Sequence, residues 1–110
     1  MPLTPLLSSV ITFNNQTGLA YTIVPTDAGN AVTMNNAAAN TVTVPPASQA
    51  PIPLGEPIII QQLGAGQITV TPGAGVTINS ASTTKTRAQY SIVTIVQESL
   101  NVWSLTGDFA

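Results

Sequence analysis

The chain has 110 residues, carries two Lys/Arg against four Asp/Glu, and contains no histidine and no cysteine. That size fits one domain, and a charged fraction of 5% beside a hydrophobic fraction of 44% reverses the composition of disordered chains. Two cations are too few for a nucleic-acid interface or an anionic membrane surface, and without cysteine the fold must stand without disulfides.

The chain opens Met1-Pro-Leu-Thr-Pro-Leu-Leu-Ser-Ser, with no basic residue and two prolines, so it does not read as a leader. Pro2 and Pro5 keep this start extended, and Leu3, Leu6, Leu7, Val10, Ile11 and Phe13 are apolar side chains that need cover from a neighbouring subunit or another surface. Residues 1–18 are therefore expected to form an arm or a first edge strand, and residues 19–110 a β-sandwich domain. No apolar run approaches the ~18 residues of a membrane span, because Gly55, Glu56 and Pro57 interrupt the richest one. A soluble protein is expected.

Strand-like runs follow at Val10 to Phe13, Leu19 to Val24, Ala31 to Met34 and Thr41 to Val44, where Val42 and Val44 face inward and Thr41 and Thr43 outward. Between the second and third, Asp27 and Gly29 have the chemistry of a tight turn. The prolines from Pro45 to Pro57 predict a stiff connector over one end of the sheets. Further strands are expected at Glu56 to Gln62, Ile68 to Thr71, Val76 to Asn79, Tyr90 to Gln97 and Asn101 to Leu105. Gly64 to Gly66 suggests a hairpin, Pro72-Gly73 a type II turn, and Asn79 to Thr86 an exposed loop. About nine short strands with regular turn signals predict an all-β fold, an antiparallel β-sandwich or jelly-roll-like barrel.

Two strands break the alternation. Ile58 to Ile60 and Ile92 to Val96 are apolar on both faces, so Ile59 and Ile92 need cover outside a two-layer core. Another subunit is one solution, and burial by the proline connector and the N-terminal segment is the other.

For chemistry the chain offers little. Without histidine there is no imidazole base, and without cysteine no ordinary zinc site. Asp27, Glu56, Glu98 and Asp108 show no spacing that singles out a catalytic pair, and the glycine pairs 64/66 and 73/75 complete no phosphate-binding motif. Asn15-Gln-Thr17 matches a glycosylation acceptor by composition alone. Lys85 and Arg87 read as guards of a strand edge, and Trp103, Tyr21 and Tyr90 as inward-facing core aromatics. No enzymatic activity, metal or cofactor is expected.

From Tyr21 to Asp108 the chain resembles a β-domain of tailed-bacteriophage virion proteins, found both as a capsid decoration protein and at the ends of fibre-type proteins. The residues that carry the likeness are Tyr21-Thr-Ile-Val, Asp27-Ala-Gly29, Met34-Asn-Asn, Asn40-Thr-Val-Thr-Val-Pro-Pro46, Gly64-Ala-Gly-Gln-Ile-Thr-Val70, Gly75-Val-Thr-Ile-Asn79 and Asn101-Val-Trp-Ser-Leu-Thr-Gly-Asp108. The resemblance implies a virion structural role with identical copies around a symmetry axis. With so short a region before Tyr21, a free-standing capsid decoration protein on the outer shell is expected, a homotrimer that binds the major capsid protein, with Leu3, Leu6, Leu7, Val10, Ile11, Phe13, Ile59 and Ile92 as capsid or subunit contacts. The alternatives are a receptor-binding module that reads host glycans and a tail or neck subunit.

Overall fold

The structure, a computed structural model, describes residues 10–110. Nine strands follow in chain order: β1 (Phe13–Gln16), β2 (Ala20–Thr22), β3 (Ala31–Met34), β4 (Asn40–Val44), β5 (Ile58–Gln62), β6 (Ile68–Pro72), β7 (Thr77–Ser80), β8 (Ile92–Ser99) and β9 (Val102–Gly107), with a 3-10 turn at Pro25–Asp27. They form a six-stranded sheet of order β1-β3-β5-β8-β9-β7 and a three-stranded sheet of order β2-β4-β6.

The all-β expectation and the two sheets hold, but the pairing direction does not follow the antiparallel expectation. β1/β3, β3/β5, β2/β4, β4/β6 and β7/β9 are parallel, and only β5/β8 and β8/β9 are antiparallel. Parallel neighbours need a crossover. Here the crossover is a strand of the other sheet: the chain passes from β1 to β2, from β3 to β4 and from β5 to β6, three stacked rungs of a solenoid-like arrangement. A jelly roll is antiparallel, so that form is excluded too.

Alternation decides what each rung buries. Val42 and Val44 on β4 and Ile68 and Val70 on β6 point between the sheets, while the threonines between them stay partly exposed. Register then stacks like on like: Val32 lies beside Ile60, and Val42 beside Val70. The core also takes Ile23, Met34, Ile58, Val93, Ile95, Trp103 and Leu105.

A three-stranded layer cannot cover a six-stranded one. Over β8 and β9 the proline connector supplies the cover: Ile52 joins the core cluster, Gln97 Nε2 donates to Ile52 O at 2.7 Å, and Gly55 N donates to Gln97 O. Beside β6, Lys85 pairs with Thr69 and Thr86 with Phe109. Thr86, fully buried, bonds Gln62 and the backbone of Ile68. The connector thus lies over one end of the core, as its composition suggests, and leaves the outer face of β5 and β8 alone.

Stacked rungs need stacked corners. Gly64 and Gly66 are not a hairpin but the corner from β5 to β6, laid on the corner from β3 to β4. A Cβ on Gly66 would stand 1.8 Å from Ala38 O, and one on Gly64 2.4 Å from Asn36 O. The turn after β6 also shifts: Val76 N donates to Gly73 O, and Gly75, at φ 77°, takes the left-handed position in place of Gly73. The one hairpin among the described strands is β8–β9, turned by Asn101 at φ 59°.

Gly66→Ala is expected to destabilise the fold by about 1–3 kcal/mol or more, because backbone on both sides must move. Gly18→Ala, where a Cβ meets nothing nearer than 3.9 Å, should stay within about 0.5 kcal/mol of the parent. Urea denaturation of the two variants measures the contrast.

Candidate functional site

Three surfaces concentrate unusual side chains. The first is the outer face of the six-stranded sheet. Register places Phe13, Ala31, Ile59 and Thr94 in one cross-strand row, and Asn15, Thr33, Gln61 and Ile92 in the next. Phe13 is 66% exposed and Ile92 45%, and Ile59 is half-buried. Thr33 donates to Asn15 Oδ1 along the second row. Neither row contains a charged residue. The formal charges bordering this face are Asp108, whose N donates to Ile92 O at the end of the second row and whose carboxylate is paired with Arg87, and Glu98, which accepts from Ser104 Oγ at 2.6 Å.

The second surface is the end of the first rung. Val10 and Ile11 lead into β1, 71% and 39% exposed, and Leu19 ahead of β2 is 59% exposed. β1 begins three residues later than the apolar run Val10 to Phe13 suggests, because the inward positions of this strand are Asn14 and Gln16. They sit on Val32 and Met34, and Tyr21 sits on Val42. Apolar columns in the second and third rungs therefore end in a polar layer at the first.

That layer is fully hydrogen-bonded around Asp27. Asp27 is buried at 2% exposure and accepts from Tyr21 Oη at 2.6 Å, from Asn14 Nδ2 at 3.1 Å and from Val24 N at 3.0 Å. Asn14 Nδ2 also donates to Tyr21 Oη at 2.7 Å, and Gln16 Nε2 to Asn14 Oδ1 at 2.8 Å. The Val24 bond fixes the 3-10 turn, and Gly29 follows at φ 76°, so the local turn chemistry of Asp27 and Gly29 is used as the sequence suggests. Burial, and then the hydrogen bond to Asp27 and its negative charge, push the Tyr21 phenol well above its ordinary range.

The third surface adjoins this layer. A cleft of about 420 Å³ is lined by Thr12, Phe13, Asn14, Thr26, Asp27 and Asn30. Its amides are already engaged: Asn30 Oδ1 accepts from Thr12 N and Asn30 Nδ2 donates to Thr26 O.

Of the contact residues expected from sequence, Leu3, Leu6 and Leu7 lie outside the described residues. Val10 and Ile11 stand at the first-rung end, and Phe13, Ile59 and Ile92 share the outer sheet face. Sequence reasoning missed Asn14, Gln16 and Leu19, although amides two apart at the head of a β-domain are a legible signal of a polar inner face. Tyr90 is a correction: at φ 73° and 65% exposure it is a surface residue, whereas Trp103 is buried beside Leu105 as expected. Arg87 does not stand free, since Nε and Nη2 clasp Asp108 at 2.7 and 2.8 Å. That guanidinium, and then the Ser91 hydroxyl, hold the Asp108 carboxyl below its ordinary range.

No family model matches the chain, and neither the curated proteins nor the solved structures yield a match. The surfaces themselves carry the functional argument.

Tyr21 keeps its proton in the folded state to a higher pH than in the unfolded chain, so its contribution is fully present below about pH 10 and is lost as pH rises above that value. Thermal melts are expected to be flat from about pH 5 to 9, where no histidine titrates, and to fall above pH 10. Tyr21→Phe should cost about 1–3 kcal/mol at neutral pH, because Asp27 loses a donor, and should flatten the alkaline fall.

Proposed function

We propose that the chain is a bacteriophage capsid decoration protein, a non-enzymatic structural component that binds the outer surface of the shell. The observation that carries this reading is the outer face of the six-stranded sheet, an uncharged row structure with Phe13, Ile59 and Ile92 accessible on it. A sheet face with apolar side chains left uncovered is a binding surface. Its lack of charge suits close contact between identical copies around a three-fold axis as well as contact with the major capsid protein. The likeness of Tyr21 to Asp108 to virion β-domains supports the same role. Neither nucleic acid nor a membrane has a place in it, with Lys85 and Arg87 as the entire cationic supply.

A second reading rests on the cleft. The exposed Phe13 ring beside Asn14 and Asn30 has the composition of a saccharide subsite on a receptor-binding module. It is the weaker reading because those amides are committed to the protein's own hydrogen bonds.

The double variant Ile59→Lys/Ile92→Lys tests the proposal, since both side chains point outward and the fold should tolerate the change within about 1 kcal/mol. Light scattering of the parent is expected to give three times 11.3 kDa, and of the variant a smaller species. Gold-labelled antibody on purified virions should decorate the shell. Label at the tail tip would transfer the argument to the cleft, and an unaltered trimer in the double variant would remove the sheet face from it.

A further inference from the structure

We propose that the first-rung end is an isologous interface at which two copies of this chain join edge to edge, continuing both sheets across a two-fold axis. The inference stands apart from the virion role.

Thr12 O and Gln16 O accept from Ala31 N and Asn35 N, so alternation leaves the N–H and C=O groups of Phe13 and Asn15 on the open side of β1. Leu19 O accepts from Thr41 N and Ile23 N donates to Thr43 O, which leaves those of Ala20 and Thr22 on the open side of β2. β1 and β2 end their sheets at the same end of the stack, so two edges that no described residue pairs lie side by side, separated by the ~10 Å spacing of packed sheets.

Such edges are usually protected by lysine, proline, a bulge or a covering segment. Here β1 reads Phe-Asn-Asn-Gln and β2 Ala-Tyr-Thr, with no charge, proline or bulge. The rim is apolar instead, with Val10, Ile11, Phe13 and Leu19 exposed around it. The core beneath is already sealed by the Asn14–Tyr21–Asp27 layer, so the rim is not spare core; it is contact surface.

A second copy is the occupant that fits. One extended peptide satisfies one edge, whereas a copy of this same end satisfies both. A two-fold axis normal to the sheets keeps each sheet in its own layer and reverses strand direction, pairing β1 with β1 and β2 with β2 antiparallel. Opposed residues must share a face, so the β1 register centres on Asn14 or on Asn15. An isologous contact sets the same patch against itself, residue i meeting j and j meeting i, so a charge near the axis meets a like charge and is penalised. This end tolerates that: Lys85, Arg87, Glu98 and Asp108 belong to later segments, Glu56 packs beside Gly29, and Asp27 is buried. The open edges are short, four residues in β1 and three in β2, so association is expected in the micromolar range.

Two variants test it in the full chain. Leu19→Lys sets two ammonium groups across the axis, and Ala20→Pro removes an open-side N–H without touching the β2/β4 ladder. Sedimentation equilibrium from about 10 to 500 µM is expected to show each variant at half the mass of the parent assembly with an unchanged melting temperature. The halving reads dimer to monomer if the outer face does not trimerise, and hexamer to trimer if it does, so this inference and the trimer fail separately. A parent whose mass is unaffected by both variants overturns it. So does a parent that becomes self-associating only when residues 1–9 are deleted, because that segment, and not a second copy, is then the cover.

Discussion

Parallel, in-register stacking of rungs is the constraint on which the rest of this structure depends. Once β3 lies along β1 and β5 along β3, inward residues form columns. Val32 and Ile60 make an apolar column, with Asn14 at its head. Corners inherit the same constraint. The β5–β6 corner approaches the β3–β4 corner so closely that positions 64 and 66 admit no side chain, which makes those glycines consequences of stacking and not of local turn geometry.

The two ends of the stack solve different problems. At the far end, antiparallel β8 and β9 interrupt the parallel succession, and the proline connector closes the core with Ile52 and the Gln97 bonds. A connector with five prolines suits that place because it covers without needing ladder donors. At the near end, a side-chain network replaces the next rung: Asp27, Tyr21, Asn14 and Gln16 satisfy one another, so the column stops without a desolvated orphan. Among the described residues the side chains are sealed there and the backbone edges of β1 and β2 are not.

Much of this was legible in the residues. Period-two alternation placed Val42, Val44, Ile68 and Val70 inside, and the doubly apolar runs marked β5 and β8 as strands with a second face in need of cover, where Ile59 is half-buried and Ile92 exposed. Pairing direction was not legible, since glycine corners of a solenoid and glycine turns of a hairpin share a composition. Repetition was hidden as well, because the rungs differ in length: Phe13 pairs with Ala31, and Ala31 with Ile59. The first strand was placed too early because its buried face is polar, which inverts the pattern on which strand reading rests. Tyr90 defeated the same rule from the other side, its left-handed backbone turning an apparently inward aromatic out to solvent.

The near absence of charge ties these features together. On a soluble monomer, charge of one sign keeps copies apart; here Thr, Asn and Gln keep the surface wet, and of the few ions Asp27 is buried, Arg87 and Asp108 clasp each other, and Glu56, Lys85 and Glu98 are spread along the chain. Neutral polar ladders such as Asn15, Thr33 and Gln61 on the outer face bond to each other and to backbone, so they can be covered at little electrostatic cost. The same holds for the amide layer at the first rung. A chain built this way gives up long-range repulsion between copies and gains surfaces that tolerate close approach to a neutral neighbour.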